Sequence, residues 1–402
     1  MDAKQSSAPA GSADPFVHYR RVGSVAAFLF LLVAANQLWQ NFVHPSCRDF
    51  ISFWGAARLT IAGSPALAYN LDALHHLQSS IVSFGPGEQL PFPYPPAFLL
   101  LVLPFGLFSY PVGMVLWVTA TLGLYFAAIK RLVPDAGLLA LAFPPVFVNI
   151  VIGQNGFLTA ALFCAAFATL DRRPFVAGLL AGCLVLKPQL GVFFPIALLA
   201  SRQWRAIAGA AISSMCIGLL SLLLFGSDVF FAWARQLPLY GAIAKNGNVG
   251  WIQFTSVYAA ARQAGLGSVP AMLLHSAIAI IAAAFVWNVW RSRQDNLAKT
   301  AVLAVATALA SPYLFLYDLL ILAVPFLWLA KAKANPAAVG GIWCIWMASM
   351  AQHFGSAGSV NLNPIIPISL LALTMWQQHK RAADRSLPDI GIASLSPTTD
   401  LA

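Results

Sequence analysis

The sequence predicts an all-α protein that crosses a membrane about 12 times, and three observations lead to this prediction. Of its 402 residues, 59% are hydrophobic and only 9% are charged, whereas about a quarter of the residues in a soluble domain are charged. The mean hydropathy is +0.76. The apolar stretches are long and continuous, whereas the strands of a membrane β-barrel alternate polar and apolar residues. These features exclude a soluble enzyme and a disordered chain, and they favour a polytopic helical bundle.

The N-terminal segment predicts a tail followed by a membrane span. Residues 1–21 form a polar tail, rich in Ala, Ser and Gly in its first part, which we expect to be disordered and cytoplasmic. Residues 24–43 are uncharged and long enough to cross a bilayer. Because no small-residue cleavage site follows them, we interpret this span as an uncleaved signal anchor. Arg20 and Arg21 precede the span and predict a cytoplasmic N-terminus.

The next segment, 44–96, is more polar and predicts the first outer loop. Two stretches in it, 48–62 and 70–84, look helical but are too short or too polar to cross a membrane. Asn70 is a candidate N-cap for the second stretch. We therefore expect two interfacial helices that lie on the outer face of the membrane.

The remaining chain predicts a transmembrane domain that covers 22–378. Long uncharged stretches alternate with short basic turns, and a second polar loop, about 226–268, is predicted outside. The tail 379–402 is polar and is predicted to be cytoplasmic, like the N-terminus.

Residues 97–201 allow two threadings, and the sequence leaves both open. One treats 97–129 as a single kinked pass and breaks 174–201 into a hairpin at Lys187-Pro188, which places more Lys and Arg residues in the cytoplasm. The other splits 97–129 near Pro111 and runs 174–201 as one long helix, which avoids arms too short to span a bilayer.

Charge, cysteines and motifs exclude several classes of function. The formal net charge of +10 fits basic cytoplasmic loops, and no nucleic-acid-binding motif is present. The five cysteines contain no CxxC pair, so neither a metal site nor a disulfide framework is indicated. Phosphate-loop, HExxH, GxSxG and GxGxxG motifs are absent from the sequence, which disfavours a nucleotide-driven pump. We expect chemistry, if present, to come from scattered polar groups that face a cavity.

Asp49 is the leading catalytic candidate, because it directly follows the first span. A carboxylate at the membrane edge faces both a lipid-borne substrate and outer water, and it is suited to act as a general base. The structural alternatives are a helix cap or a partner for Arg48. Arg58, nine residues further on, is a candidate for binding phosphate through its planar guanidinium group. Its alternative role is contact with lipid headgroups.

Lys187 and Asp318 are charged residues between apolar stretches, where an unpaired charge costs a few kcal/mol. We expect Lys187 to contact an anionic ligand, and Asp318 either to pair with Lys187 or to line the same site.

Polar and aromatic side chains complete the set of candidates. Tyr94 lies between prolines before a span, where we expect a structural role as an aromatic residue of the membrane interface, and lining a cavity is its alternative role. Gln154 interrupts an apolar stretch, where paired amides commonly join helices by hydrogen bonds. Trp251 and Gln253 in the second outer loop are candidates for stacking on a sugar and hydrogen-bonding to it.

Together these residues resemble glycosyltransferase family 87, the polyprenol-phosphate-mannose-dependent mannosyltransferases. The resemblance covers about residues 22–375. In chain order its features are Asp49 after the first span, Gly63-Ser64-Pro65-Ala66-Leu67-Ala68-Tyr69, Phe92-Pro93-Tyr94-Pro95-Pro96, Gly153-Gln154-Asn155-Gly156, Ala177-Gly178 before Lys187-Pro188, and Ser311-Pro312 before Asp318.

The resemblance implies a GT-C fold and a specific chemistry. Members take a sugar from a polyprenyl monophosphate in the outer leaflet, invert the anomeric centre by single displacement, and need neither a metal nor another cofactor. Their base is the acidic residue of the first outer loop, which corresponds to Asp49, and Arg58 and Lys187 are the expected phosphate-binding residues. The implied partners are the lipid-linked donor and a lipid or glycan acceptor. The implied location is the inner (plasma) membrane, with the site on its outer face.

A transporter or flippase of a lipid-linked glycan is the alternative function. Transporters commonly contain inverted repeats with polar groups at mid-membrane. The sequence contains no clear internal repeat, and its polar groups are concentrated in the outer loops, so a glycosyltransferase is the favoured prediction.

Overall fold

The computed structural model describes residues 15–246, 250–354 and 360–386, and in these residues every regular element is helical. The α-helices are α1 (Pro15–Val43), α2 (Phe50–Ile61), α3 (Leu71–Ser79), α4 (Ala97–Gly106), α5 (Tyr110–Leu132), α6 (Pro144–Ile152), α7 (Gly156–Thr169), α8 (Pro174–Gly182), α9 (Phe194–Ala200), α10 (Trp204–Phe225), α11 (Ser227–Asn246), α12 (Val257–Gln263), α13 (Ser268–Arg291), α14 (Asn296–Ala310), α15 (Ala323–Lys331), α16 (Pro336–Phe354) and α17 (Ile365–Ser386). Short 3₁₀ helices join them at Pro65–Tyr69, Pro134–Leu141, Cys183–Leu186, Pro188–Leu190, Trp251–Gln253 and Leu316–Leu322. The all-α prediction is therefore confirmed for the part of the chain that the structure describes.

Within the described residues, four helices are long and apolar enough to cross a membrane: α1 from Tyr19 onward, α5, α10 and α13. A fifth span results if the 3₁₀ helix at 134–141 and α6, which meet at an angle of 58°, are counted together. Several other apolar helices are shorter, because the chain breaks them with glycine or proline. The predicted first span lies within α1, which also includes the last seven residues of the predicted tail, 15–21. The remaining tail residues, 1–14 and 387–402, lie outside the described residues.

The first predicted loop contains two helices, α2 and α3, close to the predicted positions. The side chain of Asn70 caps α3 as predicted, since it accepts a 2.9 Å hydrogen bond from the backbone N–H of Ala73. Helix α2 differs from a helix on a membrane surface, because its residues 50–57 are all buried. An interfacial helix keeps one polar face, whereas the first turns of α2 contain a single polar side chain, Ser52, and pack inside the protein.

Helix α4 folds back on α5, so 97–129 is not a single kinked pass. The ring of Trp117 on α5 lies 6.3 Å from the ring of Phe98 and 5.2 Å from that of Phe105, both on α4. In one continuous helix, Phe98 and Trp117 would lie about 28 Å apart along the axis. The chain therefore turns at residues 107–109, as the second threading expects.

Residues 174–201 form a hairpin, as the first threading expects. Ala177 of α8 and Phe194 of α9 line one small cavity, although in a continuous helix they would lie about 26 Å apart. Lys187 and Pro188 lie at the turn between the two arms. The structure thus combines one feature of each threading.

Several loop segments meet at one end of the bundle, which we call the loop end. Phe254 and Phe315 form an isolated antiparallel β-bridge, and Asn361 donates a 2.9 Å hydrogen bond to the carbonyl of Trp251. The segments joined in this way are 251–256, 311–318 and 361–363.

The opposite end, which we call the basic end, contains ion pairs. Lys331 pairs with Asp135 at 2.9 Å, and Arg381 pairs with Asp295 at 3.5 Å. Helix α5 connects the two ends over about 34 Å, and its last turn contributes Lys130 and Arg131. Four basic residues, Lys130, Arg131, Lys331 and Arg381, therefore lie at this end.

Candidate active site at the loop end

Asp49 lies at the N-terminus of α2 but does not cap it. Its side chain makes no capping hydrogen bond. Instead Oδ2 accepts a 2.8 Å hydrogen bond from Nε2 of Gln154. Among the described residues it forms no salt bridge with Arg48, and Oδ1 accepts no hydrogen bond. In the described structure, Asp49 is therefore neither a helix cap nor an ion-pair partner of Arg48. One carboxylate oxygen is held by Gln154, and the other accepts no hydrogen bond from a described residue.

The surroundings of Asp49 favour a basic carboxylate. Burial raises the pKa of the Asp49 carboxyl above its usual value. The hydrogen bond from Gln154 and the positive charges of Lys187 and Arg48 lower this pKa, but the net shift is upward. A carboxylate with a raised pKa takes a proton more readily. Asp49 as a whole residue remains partly exposed.

The amide of Gln154 is held in one orientation. Its Oε1 accepts hydrogen bonds from the hydroxyl of Tyr94 and from the backbone N–H of Asn155, each 3.2 Å long. The indole N–H of Trp117 donates to the Gln154 carbonyl at 3.3 Å. Because both donors occupy the amide oxygen, the amide nitrogen is turned toward Asp49.

The turn that presents Gln154 depends on two glycines. Gly153 ends α6 with φ +71°, and a Cβ at this position would lie 2.6 Å from Cβ of Phe50. A Cβ on Gly156 would collide with the carbonyl oxygen of Tyr317. Asn149 fastens the turn, because it accepts from the N–H of Gly156 at 2.8 Å and donates to the Tyr317 carbonyl at 3.0 Å. The four-residue turn is therefore packed directly between α2 and the 3₁₀ helix at 316–322.

Tyr94 is held by the first loop. The hydroxyl of Ser52 on α2 donates to the carbonyl of Pro91 at 2.7 Å, and the hydroxyl of Tyr69 donates to the carbonyl of Tyr94 at 3.0 Å. The Tyr94 ring stacks on Phe98 at 4.4 Å between centroids. The prolines around it restrict the backbone further, so the Tyr94 hydroxyl has a defined position.

Lys187 lies at the hairpin turn and is paired. Its Nζ forms a salt bridge with Asp318 and donates a 3.0 Å hydrogen bond to Oδ1 of Asn155. It also lies 4.7 Å from the ring centroid of Tyr317 and 5.9 Å from that of Tyr94. The side chains of Lys187 and Asp318 are only 3% and 1% exposed. A buried charge needs such a partner, and an ammonium group has a third hydrogen still to donate.

Five of the eight predicted site residues thus belong to one hydrogen-bonded network, joined through the adjacent amides of Gln154 and Asn155. The five are Asp49, Tyr94, Gln154, Lys187 and Asp318.

A cavity of about 450 Å³ lies beside this network. This volume is within the range of small-molecule sites. Tyr94 and Lys187 belong to both the network and the cavity wall, whereas Asp49 and Gln154 do not line the cavity. The aromatic residues of the wall are Tyr94, Trp233, Tyr240, Phe254, Tyr313, Phe315 and Tyr317.

Arg58 lies apart from the network. It is separated from Asp49 by nine residues of one helix, which corresponds to about 13 Å. Its guanidinium donates to the carbonyl of Gly106 at 3.4 Å and lies 5.7 Å from the ring of Trp54. Arg58 therefore caps the end of α4 in this structure.

Trp251 and Gln253 also lie outside the cavity wall, although their neighbour Phe254 belongs to it. The Trp251 ring is 5.9 Å from the ring of Tyr258 and 5.2 Å from the guanidinium of Arg262. Its contacts are thus with the second loop itself.

The structure adds five residues that sequence reasoning did not select, namely Asn149, Asn155, Trp233, Tyr240 and Tyr317. The two asparagines carried a usable signal, because each is an amide within an otherwise apolar stretch. The three aromatic residues carried none, since aromatic residues are common throughout this chain.

The family model described as glycosyltransferase family 87 matches residues 92–312, which is more than half of the chain. The matched region includes Tyr94, Gln154, Lys187 and the residues of the cavity wall from Pro93 to Ser311. No curated protein and no solved structure matches the chain.

Proposed function

The chain belongs to glycosyltransferase family 87, and from this premise we propose a specific reaction for this membrane glycosyltransferase. It transfers a sugar, mannose, from a polyprenyl monophosphate donor to a lipid-linked or glycan acceptor. The single observation that carries the proposal is the Asp49 carboxylate, which is held by Gln154 on one oxygen and free on the other.

Asp49 acts as the general base. Its free oxygen takes the proton from an acceptor hydroxyl while the hydroxyl oxygen attacks C1 of the donor sugar. The bond between C1 and the phosphate oxygen breaks, its electron pair stays on the polyprenyl phosphate, and the anomeric centre is inverted. The raised pKa of Asp49 supports this role, because proton transfer is most efficient when the pKa of the base lies near the working pH.

Lys187 holds the phosphate of the donor. Its salt bridge and its hydrogen bond to Asn155 use two of its three N–H groups, which leaves the third for an anionic oxygen in the cavity. Asp318 keeps the buried lysine charged and in place. Charge that develops on the leaving phosphate is stabilised most strongly by a fixed donor in a water-poor site.

The proposed membrane arrangement is a GT-C fold with about 12 crossings in the inner (plasma) membrane. Both termini are cytoplasmic and the site is on the outer face. The concentration of Lys and Arg at the basic end supports this orientation. Beyond the long helices, the additional crossings are short helices continued by 3₁₀ turns, and broken spans are tolerated where protein surrounds them.

Transfer assays in liposomes test the proposal. The purified protein receives polyprenyl-phosphoryl-mannose carrying a radiolabelled sugar, together with lipid and glycan acceptors. We expect Asp49→Asn to lose transfer by a factor of 10² or more. Asp72→Asn, which makes the same change on the exposed side of α3, should keep the parent rate.

Two results would contradict the proposal. If Asp49→Asn transfers sugar at the parent rate, Asp49 is not the base. If no polyprenyl-phosphoryl sugar supports transfer while the protein moves a lipid-linked glycan across the bilayer, the alternative of a flippase is correct.

A further inference from the structure

The cavity beside the network contains an unsatisfied polar group. The indole Nε1–H of Trp233, on α11, is buried and has no hydrogen-bond acceptor among the residues that the structure describes. A buried donor without an acceptor costs about 1–3 kcal/mol. Because Trp233 lines the cavity, a bound ligand with an acceptor oxygen would satisfy this N–H.

The same cavity wall contains further polar and aromatic side chains that are suited to binding a sugar. Tyr240, two turns along α11, donates its hydroxyl to the carbonyl of Phe92 at 3.5 Å, which is long for an O–H donor. Its oxygen is therefore available as an acceptor, and its ring faces the cavity together with Tyr313. Gln189 also lines the cavity and adds an amide. Aromatic faces combined with a few polar tips suit a ring that has both C–H faces and hydroxyl groups, which is the chemistry of a pyranose.

The position of Lys187 indicates whether the pyranose in this cavity belongs to the donor or to the acceptor. Lys187 is the cation of the cavity wall, and the proposed function places the donor phosphate on its third N–H. The donor sugar is joined directly to that phosphate and must lie next to it, in the same cavity. An acceptor instead has to approach Asp49, which does not line the cavity and is connected to Tyr94 through Gln154.

We propose that this cavity is the subsite for the hexopyranosyl ring of the donor, and that Trp233 and Tyr240 of α11 determine which sugar is accepted. This inference rests on the proposed function for the identity of the donor. The sugar-binding role that the sequence suggests for Trp251 is thereby assigned to Trp233, because Trp233 lines the cavity and Trp251 does not.

Steady-state kinetics test the subsite. Trp233→Phe keeps an aromatic ring and removes the N–H. Because a buried hydrogen bond to substrate is lost, we expect the KM for polyprenyl-phosphoryl-mannose to rise about fivefold to thirtyfold. The KM for the acceptor should stay the same, and the preference for the mannosyl over the glucosyl donor should fall. Trp251→Phe, the matched control outside the cavity, should behave like the parent. A higher acceptor KM with an unchanged donor KM would overturn the assignment to the donor, and unchanged values for both would overturn the subsite.

A binding measurement separates this inference from the chemistry. In an Asp49→Asn background, farnesyl-phosphoryl-mannose and sugar-free farnesyl phosphate are titrated while tryptophan fluorescence is recorded. We expect the sugar-bearing probe to bind about tenfold more tightly, and this difference to disappear in Trp233→Phe that elutes as a folded protein. Equal binding of both probes overturns the sugar subsite but leaves the phosphate site intact. If neither probe binds, the proposed donor is wrong, and the inference is overturned with it.

Discussion

Replacing Gln154 with leucine tests how the network prepares Asp49. The variant keeps the size of the side chain and removes the amide nitrogen that donates 2.8 Å to Oδ2 of Asp49. It also removes the oxygen on which the Tyr94 hydroxyl and the Asn155 N–H converge. Asp49 then remains in a place where burial already raises its pKa, but without the strongest group that opposes this rise.

The magnitude follows from the strength of the lost bond. Hydrogen bonds to charged groups contribute about 1.5–3 kcal/mol, and one pKa unit corresponds to 1.36 kcal/mol. Because Asp49 is partly exposed, water replaces part of the bond, so we expect the lower end, which corresponds to a roughly tenfold shift of the protonation equilibrium of Asp49 toward the acid form. The base is active when deprotonated, and a higher pKa moves the acid limb of kcat/KM toward higher pH. The loss of activity should be about tenfold on the acid side and should shrink as the pH rises.

The assay is the pH dependence of kcat/KM for sugar transfer. Tyr94→Phe should shift the acid limb of the kcat/KM profile in the same direction as Gln154→Leu, but by a smaller amount. The reason is that the Asn155 N–H still orients the Gln154 amide. Gln377→Leu is the matched control: its buried amide donates a 2.8 Å hydrogen bond to the carbonyl of Ala332 at the basic end. We expect this control to lower the melting temperature and to leave the acid limb of the pH profile unchanged. If Gln154→Leu melts like Gln377→Leu and keeps the acid limb of the parent, the amide does not tune Asp49.

Two further predictions concern stability. Lys187→Met leaves the buried carboxylate of Asp318 without its partner and should lower the free energy of unfolding by about 3–5 kcal/mol. The double variant Lys187→Met with Asp318→Leu should recover much of this stability without recovering sugar transfer. Thermal unfolding and transfer activity are measured on both variants, and recovery of transfer in the double variant would indicate a purely structural ion pair. Gly156→Ala should destabilise the protein because its Cβ meets neighbouring backbone, whereas Gly123→Ala, on an open face of α5, should be neutral or stabilising by up to about 1 kcal/mol. Equal melting temperatures for the two alanine variants would contradict the packing described for the turn.

Much of the fold was predictable where a single local property decides it. The shortage of charge excluded a soluble protein, the uncharged stretch at 24–43 predicted the span in α1, and Asn70 predicted the start of α3. The hairpin at Lys187 was not decided in this way. An apolar sequence with a central proline is equally compatible with one bent helix and with a hairpin of two helices. Only the tertiary contacts of the two halves distinguish the bent helix from the hairpin.

The candidate site shows the same division. Lys187 and Asp318 were recognisable because a charge in an apolar stretch must find a partner, and the structure pairs them across 131 positions of the chain. The partner of Asp49 was not recognisable, since Gln154 lies 105 positions away. Nothing in the local sequence separates Trp233 from Trp251, because each is a tryptophan in a polar loop region.

The sequence alone determined the class of the molecule and the small set of polar residues that need an explanation, because transfer of charge and backbone polar groups into an apolar medium is costly wherever they occur. Only the tertiary structure decided which of these residues act together. Pairing depends on distances between segments far apart in the chain, here Asp49 with Gln154 and Lys187 with Asp318. The same long-range packing buried α2, turned Arg58 toward the end of α4, and placed Trp233 rather than Trp251 at the cavity.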